Sequence, residues 1–405
     1  MNQKKTILVL ASTYPRWPSD PEPGFIHELC KKLTLTFNVI ALVPDSVEAD
    51  PDGLFEDVSI IRYRYAPKKL QSLVNNGGIV NNLKMYWWKW LLVPGFLIGQ
   101  YLAIRKILRS NSEIDLIHAH WLIPQGFFAH SFSKRFNIPF VVTSHGGDLY
   151  GLQGKFLTHL KKQIAESADA MTVVSHAMQD YLKQQNIYPI NLSTIPMGVD
   201  LHNRFTPNSQ INRESNHLLF VGRLVPKKGV HLLLEALPLI LKQKPGIRLS
   251  IIGFGPEEQN LRNKVHELKI DNHVIFLGGL SQAQLPEFYR KATLFVAPFT
   301  RAANGDQEGL PVSLMEAIGC GCPAVVGDVP GIEDLLGTDI KDMVVDSQNI
   351  EQLASTILFT LNNIDLANQR AMYIRENALN FVDWHSVGQA YTNILTNSLN
   401  DFKKI

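Results

Sequence analysis

Short apolar runs rich in Val, Ile and Leu alternate along this chain with longer stretches whose apolar positions recur every three to four residues. Runs that are apolar at nearly every position suit strands covered on both faces of a parallel sheet, and the longer stretches supply the crossover helices. In the first half "TILVLAS", "NVIALVP", "VSIIRYR", "DLIHAHW", "PFVVTSH", "AMTVVS" and "STIPMG" predict strands. In the second half "HLLFVGRL", "RLSIIGFG", "HVIFLGG", "LFVAPF" and "PAVVG" do the same. "GFIHELCKKLTL", "GVHLLLEALPLILKQ" and "LPVSLMEAIG" predict helices between them, and "FVDWHSVGQAYTNILTNSLNDF" predicts a final amphipathic helix anchored by Trp384 and Tyr391. The strand series restarts after the polar stretch 206–216, the best linker in the chain. The pattern therefore predicts two doubly wound α/β domains, 1–205 and 206–380, with ligands at the carboxyl ends of their strands.

Length agrees, since 405 residues exceed one ordinary core. Apolar residues at 45% and charged residues at 19% describe a folded chain rather than a disordered one. Three cysteines, with no His/Cys pair near Cys320 and Cys322, argue against a disulfide framework and against zinc, and fit a reducing compartment. The apolar run at 7–11 is too short for a secretory core and reads as a first strand, so a cytosolic protein is expected. A net charge of +2 gives no ground for a nucleic-acid partner. Its distribution matters more: between Asp57 and Glu113 there is no acid, while lysines and arginines recur. The same window holds "YWWKW" and, at 85–104, an apolar stretch whose one charge is Lys89, with Pro94-Gly95 at its centre. Residues 96–108 are expected to form a core helix. Residues 79–90, with Trp87, Trp88 and Trp90 beside Lys84 and Lys89, suit an interfacial segment on anionic lipid.

Several motifs sit where strands end. "FVGRLVPKKGVHLLLEAL" puts Arg223 and Lys228 between a strand and a helix, with Gly222 and Gly229 relieving crowding; cations beside a helix start suit a phosphate. "LSIIGFGPEEQNL" places Gly253 and Gly255 in a tight turn whose backbone can meet a nucleotide, although Glu257 and Glu258 spoil it as a dinucleotide fingerprint. "VVTSHGGDLYG" sets His145 before two glycines that would let a ligand approach, with Asp148 three residues on. "STYPRWPSDPEPGFIHEL" gives a Pro-rich first loop with Gly24 just before a helix. Asp50 and Asp52 flank a proline in a turn-like loop and read as a turn, not a metal site. In "GDQEGLPVSLMEAIG", Glu308 precedes a helix and Glu316 lies two turns into it.

Taken in this order and spacing, "HGGD", "IPMGVD", "GRLVPKKG", "GFGPEE" and "EGLPVSLMEA" resemble the family 4 retaining glycosyltransferases over nearly the whole chain. The resemblance is nearest to bacterial exopolysaccharide and cell-wall assembly enzymes. It implies the GT-B fold: two Rossmann-like domains facing a central cleft, the last helix (about 381–405) returning to the acceptor-binding first domain, and the second domain binding a nucleotide-sugar. By the family's roles, Glu308 would face the donor sugar. Gly309, Leu310 and Pro311 would open a helix toward the diphosphate, and Glu316 would accept the ribose hydroxyls. Arg223 and Lys228 would clamp the diphosphate without a metal, His145 would contact the sugar, and Gly24 would let the first loop approach the phosphate. Asp148 and Ser175 carry over more loosely. The nucleotide-sugar is a co-substrate and no cofactor is implied.

Two departures stand out: the first loop has Gly24 alone where a glycine pair is common, and Met197 replaces the Asn of "NGVD". The basic, Trp-rich window implies a lipid-linked glycan acceptor and a peripheral enzyme on the cytoplasmic face of a membrane. A UDP-sugar is the favoured donor by family frequency. A sugar-nucleotide 2-epimerase or a non-catalytic binding protein of the same fold are the alternatives. An epimerase would release an isomeric donor without acceptor, and a scaffold would not need the full set of charged contacts.

Overall fold

The protein is described by a computed structural model covering residues 4–18, 20, 24–75, 78–110, 113–301, 308–337, 340 and 342–402. It divides into two compact units, 1–198 with 387–405, and 199–386.

The first unit is built on an eight-stranded sheet. Its strands are β1 (Thr6–Leu10), β2 (Asn38–Pro44), β3 (Gly53–Phe55), β4 (Val58–Tyr63), β5 (Leu116–His120), β6 (Phe140–Ser144), β7 (Ala170–Val173) and β8 (Leu192–Thr194). They lie in the order β3-β4-β2-β1-β5-β6-β7-β8, parallel except for β3 against β4. β1 is central, with Leu8 opposite Ile40 on one side and Ile117 on the other. Every predicted run became a strand. The addition is β3, whose hairpin turn uses Glu56 and Asp57 at φ 46 and 67; its three residues are too short for alternation to announce.

The helix Leu92–Arg109 buries Leu92, Phe96, Gln100, Ile104 and Ile107, one stripe at helical spacing. Gly95 and Gly99 let it dock, since a Cβ would lie 2.3 Å from the Tyr65 carbonyl oxygen and 2.5 Å from that of Arg64. Pro94 falls in its first turn, where no backbone donor is needed, so it opens the helix rather than breaking it. The opposite face leaves Leu97, Ile98 and Leu102 exposed. The 23-residue stretch Trp87–Arg109 has the length and apolarity to cross a membrane.

The second unit holds β9 (His217–Val221), β10 (Arg248–Ile252), β11 (Val274–Gly278), β12 (Leu294–Ala297), β13 (Ala324–Gly327) and β14 (Val344–Val345), all parallel, in the order β11-β10-β9-β12-β13-β14. Successive residues feed opposite faces, as the period of two requires. Leu219, Val221, Phe295, Ala297 and Val326 pack into one core layer, and Leu218, Phe220, Val296 and Val325 into the other.

The polar stretch 206–216 is no boundary. Arg213 donates from it to the carbonyls of Tyr289, Ala292 and Gly321, tying it into the second unit. The chain crosses between units at 198/199 and again at 386/387. Between them Val199 pairs with Asp383, and the Asp383 carboxylate accepts from the Leu201 amide at 3.0 Å. In the final helix, Trp384–Phe402, Tyr391 is fully buried in the first unit, its hydroxyl 3.3 Å from that of Thr172.

Candidate functional site

In the second unit the charged residues singled out in the sequence converge. The loop after β9 ends at Gly229 (φ 66), whose Cβ would fall 1.9 Å from the Pro298 carbonyl oxygen; only glycine lets this loop lie against the end of β12. That approach delivers Lys228, whose ammonium sits 3.0 Å from Glu308 Oε2 and 4.7 Å from the centre of the Phe299 ring. Lys227 comes within 3.4 Å of Glu308 Oε1. The Lys228 and Glu308 side chains are each 12% exposed, so solvent screens the pair weakly. Burial alone would raise the Glu308 carboxyl, but the Lys227 and Lys228 ammoniums outweigh it and bring it down to about 2. Lys228 is lowered, by burial first and by Lys227 and Arg223 with it, against the pull of Glu308. Arg223 therefore stands close enough to be part of the cluster.

The helix Val312–Gly319 starts four residues beyond Glu308, with Pro311 as its N-cap and Gly309 and Leu310 leading in. Ser313, in its first turn, has a buried hydroxyl with no protein partner. Glu316, 3% exposed, accepts from Gln282 Nε2 at 3.0 Å and from the Tyr289 hydroxyl at 2.8 Å. Burial raises its carboxyl to about 7 despite those two bonds. Each oxygen keeps a further lone pair for a hydroxyl donor.

Gly253 and Gly255 have a packing role that the sequence did not show: a Cβ on Gly253 would lie 1.9 Å from the Gly222 carbonyl oxygen, and one on Gly255 2.3 Å from that of Leu224. Their space is filled by the loop after β9, which is held by Gly222 N–H to Ile252 O and Leu224 N–H to Phe254 O. They let that loop, which carries Arg223 and Lys228, pack against the end of β10.

In the first unit, His145 follows β6. Its Nε2 lies 2.9 Å from Nδ1 of His120 at the end of β5, the rings stacked at 5.1 Å. Phe25, next to Gly24, packs on the same ring at 5.3 Å, and Trp121 at 5.0 Å. Burial pushes His145 and His118 down to about 3, so both imidazoles are neutral at any physiological pH. His120 is lowered further, by burial first and by its two neighbours. His145 Nδ1 and His120 Nε2 have no protein partner. A neutral pair sharing one hydrogen bond leaves one N–H among those two atoms, ready for an acceptor on a ligand. Gly146 (φ 96) needs glycine, and a Cβ on Gly147 would meet nothing within 4 Å, so space is open in front of the loop.

Asp148 is not a ligand contact. Its buried carboxylate accepts from the amides of Leu122 and His145 and from Ser144 Oγ, which fixes the two loops that carry His145 and Trp121. Ser175 caps the helix His176–Gln184, and its buried hydroxyl has no protein partner. Lys89 is also reassigned: it is buried, donating to Asn82 Oδ1 at 2.5 Å and the Ser72 carbonyl at 3.0 Å beneath the Tyr86 ring. It is an internal tie, not a lipid-facing cation. Trp87 and Trp90 are 79% and 60% exposed, and Trp88 is half-buried. The side chain of Lys84 lies outside the described residues.

Lys227, Gln282, Tyr289, His118, His120 and Trp121 were missed. "HAH" did hold a signal: two histidines at period two share one face of a strand otherwise apolar. Trp121 gave none, because only the backbone reveals its φ of 74, a conformation that crowds a side chain.

Solved structures share this architecture. Sucrose-phosphate synthase from Thermosynechococcus elongatus superposes with a TM-score of 0.78 at 19% identity, over 97% of this chain and 99% of that one. Anabaena HepE in complex with UDP-glucose does so at 0.73 and 18%, over 97% and 99%. The fold is GT-B, that of a glycosyltransferase class. Residues 203–379 match the family model "Glycosyl transferases group 1" and residues 56–203 match "Glycosyltransferase Family 4". The chain belongs to the family 4 glycosyltransferases.

Among its relatives, a GDP-mannose-dependent alpha-(1-6)-phosphatidylinositol monomannoside mannosyltransferase of Mycobacterium tuberculosis is 28% identical over 237 residues. That match takes in 56% of this chain and 61% of the relative, less than two thirds of its length. TuaC of Bacillus subtilis, named for teichuronic acid biosynthesis, is 29% identical over 268 residues, 63% of this chain and 64% of that protein.

Proposed function

We propose that the protein transfers a sugar, with retention of configuration, from a nucleoside diphosphate sugar to a lipid-linked glycan in the assembly of a surface polysaccharide. The carrying observation is the pair of lysines, Lys227 and Lys228, closed on Glu308 just before the helix Val312–Gly319, with the Arg223 charge acting on Lys228 as well. Cations and helix amides aimed at one place suit a diphosphate, and charge building on a leaving diphosphate would be stabilised there without a metal. Glu316 would take the ribose hydroxyls on its spare lone pairs. Glu308, ionised and close to the clamp, would accept from a sugar hydroxyl, while His145 would offer its neutral imidazole to the sugar. Retention follows if the acceptor attacks on the leaving-group face and the departing phosphate takes its proton.

The names of the relatives support the acceptor class: a phosphatidylinositol monomannoside in one and teichuronic acid in the other. Exposed Met85, Tyr86, Trp87, Trp90 and Leu91, in a window free of acids, support peripheral attachment to an anionic membrane from the cytoplasmic side.

A thermal-shift panel of UDP, GDP, ADP and NAD on wild type and Arg223→Ala tests the donor half. A nucleotide at about 100 times its dissociation constant adds about 2.7 kcal/mol. A shift with UDP or GDP that is lost in Arg223→Ala is expected, and it names the base. Silence from every nucleotide refutes the clamp and leaves a scaffold of the same fold. An isomerised donor formed without acceptor would establish the epimerase instead.

A further inference from the structure

Apart from the residues just discussed, the first unit holds a pocket at the carboxyl ends of β1, β2 and β4. Ser12, Thr13, Arg16, Ser46 and Arg62 line it. Arg62 lies in β4 with its guanidinium largely buried, where Nη2 donates to the carbonyls of Pro15 at 2.9 Å and Arg16 at 3.2 Å. Its Nε has no partner, and among the described residues no carboxylate comes within ion-pair distance of it. The nearby acids act on it only at longer range: Asp45, held by Lys68 and Gln71, then Asp50 and Asp52, the last of which accepts from the Arg62 backbone amide, while Asp20 is held by Arg16. Ser46, which also lines the pocket, is 1% exposed, and its hydroxyl lacks a partner. Buried cations are normally paired, and buried hydroxyls normally bonded. Here a guanidinium Nε and a hydroxyl line one small opening, and neither atom has a hydrogen-bond partner.

The enclosed part measures about 20 Å³. A water needs roughly 10–15 Å³, so this space admits the tip of a ligand, an oxygen or two, and not a sugar ring. Arg62 offers N–H donors and a positive charge toward it, and Ser46 a hydroxyl that can donate, which favours oxygens bearing negative charge. We propose that this pocket receives an anionic group of the acceptor, a phosphate ester or a carboxylate, and so sets which acceptors are used. The proposal rests on the transferase activity inferred above and names its acceptor chemistry. Strand order adds a length. From β2 and β4, which bring Ser46 and Arg62 to the pocket, to β6, which His145 follows, the sheet advances three to four strand spacings, about 14–19 Å. The anionic group therefore sits farther from the reacting hydroxyl than one sugar ring reaches.

The test titrates the full chain, with its clamp first saturated by whichever nucleotide binds, against inorganic phosphate and, separately, sodium glucuronate, at constant ionic strength. Wild type is expected to gain thermal stability with one of them. Phosphate alone identifies a phosphate ester, and glucuronate alone a carboxylate. Arg62→Met should abolish the shift, and Ser46→Ala should weaken binding about ten-fold, the loss of one hydrogen bond to a charged group. Ser46 makes no side-chain bond within the protein, so this second variant folds even if Arg62→Met does not. No shift with either anion, or shifts unchanged in Ser46→Ala, overturns the proposal and leaves a water site. Nucleotide binding is scored on the same samples: if it persists while the anions are silent, only the pocket assignment falls. If it is absent, the transferase reading falls instead.

Discussion

Glu308→Gln isolates the charge balance of the clamp, because glutamine keeps the shape and removes one negative charge from between Lys227 and Lys228. The carboxyl stands at about 2 against an ordinary 4.5. At about 1.4 kcal/mol per unit, the ionised group contributes on the order of 3 kcal/mol to the second unit at neutral pH. Removing one partner of a buried pair costs a similar amount in general, since two ammoniums are then left facing each other. For a domain of this size the loss lowers the melting temperature by about 6–12 °C. The folded value lies below the unfolded one, so the contribution is complete above about pH 5 and is lost as pH falls through 4.5 toward 2. By pH 3.5 the gap between wild type and variant should have narrowed by about 1–1.5 kcal/mol.

Calorimetry of both proteins at pH 7.5, 5.5 and 3.5 reads this directly. A nucleoside diphosphate should then stabilise Glu308→Gln more than wild type, because it supplies the anion the two lysines have lost. Equal melting temperatures at pH 7.5 would show that the ion pair adds nothing. A deficit of the same size at pH 3.5 would assign the loss to packing and refute the electrostatic account.

Glu316→Gln should show the opposite slope. Burial holds this carboxyl at about 7, so ionising it costs wild type stability as pH rises from 4.5 to 7, and the variant should lack that decline in urea unfolding. Lys89→Met, which strands the acceptors on Ser72 and Asn82, should destabilise the first unit by about 1–3 kcal/mol yet leave binding to anionic vesicles unchanged. The double change Trp87→Ser and Trp90→Ser should do the reverse, weakening vesicle pelleting with little effect on stability. Gly229→Ala places a methyl 1.9 Å from a carbonyl oxygen at a positive φ, and a loss of about 3 kcal/mol or more is expected by denaturation. Thr143→Val removes the hydroxyl that joins His118 Nε2 at 2.9 Å to Thr172 at 2.7 Å, and ¹⁵N spectra should report a changed His118 tautomer.

What could be read in advance was local. The strands were legible because a parallel strand covered on both faces must be apolar at consecutive positions, as in Leu8–Val9–Leu10. Arg223 and Lys228 were legible as cations beside a helix start within a few residues of chain, while roles for Glu308 and Glu316 came from the family resemblance. Long-range pairings were hidden. Nothing near Lys89 in the sequence says that Asn82 and Ser72 enclose it, so a cation beside three tryptophans read as lipid-facing. The packing of Gly253 was hidden because its neighbour, the Gly222 carbonyl, belongs to the loop after another strand. The polar stretch 206–216 looked like a linker because Arg213 finds its partners about 80 and 108 residues away.

The spacing of Glu308 and Glu316 gains its meaning from these hidden partners. The two carboxylates are chemically the same and belong to one short segment, and both are buried. Burial raises a carboxyl, and on Glu316 it prevails, because neutral Gln282 and Tyr289 answer with hydrogen bonds alone. On Glu308 the same penalty is overturned by two full positive charges. One segment therefore presents an acid locked in its ionised form beside the clamp and, two turns into the helix, one that titrates near neutrality. A strongly ionised group beside the lysines offsets one of their positive charges, and on the proposed reading a diphosphate would compete with it for them. A group poised near 7 is stabilised as its anion by any hydroxyls that donate to it, so on the proposed reading nucleotide binding would be coupled to the ionisation of Glu316.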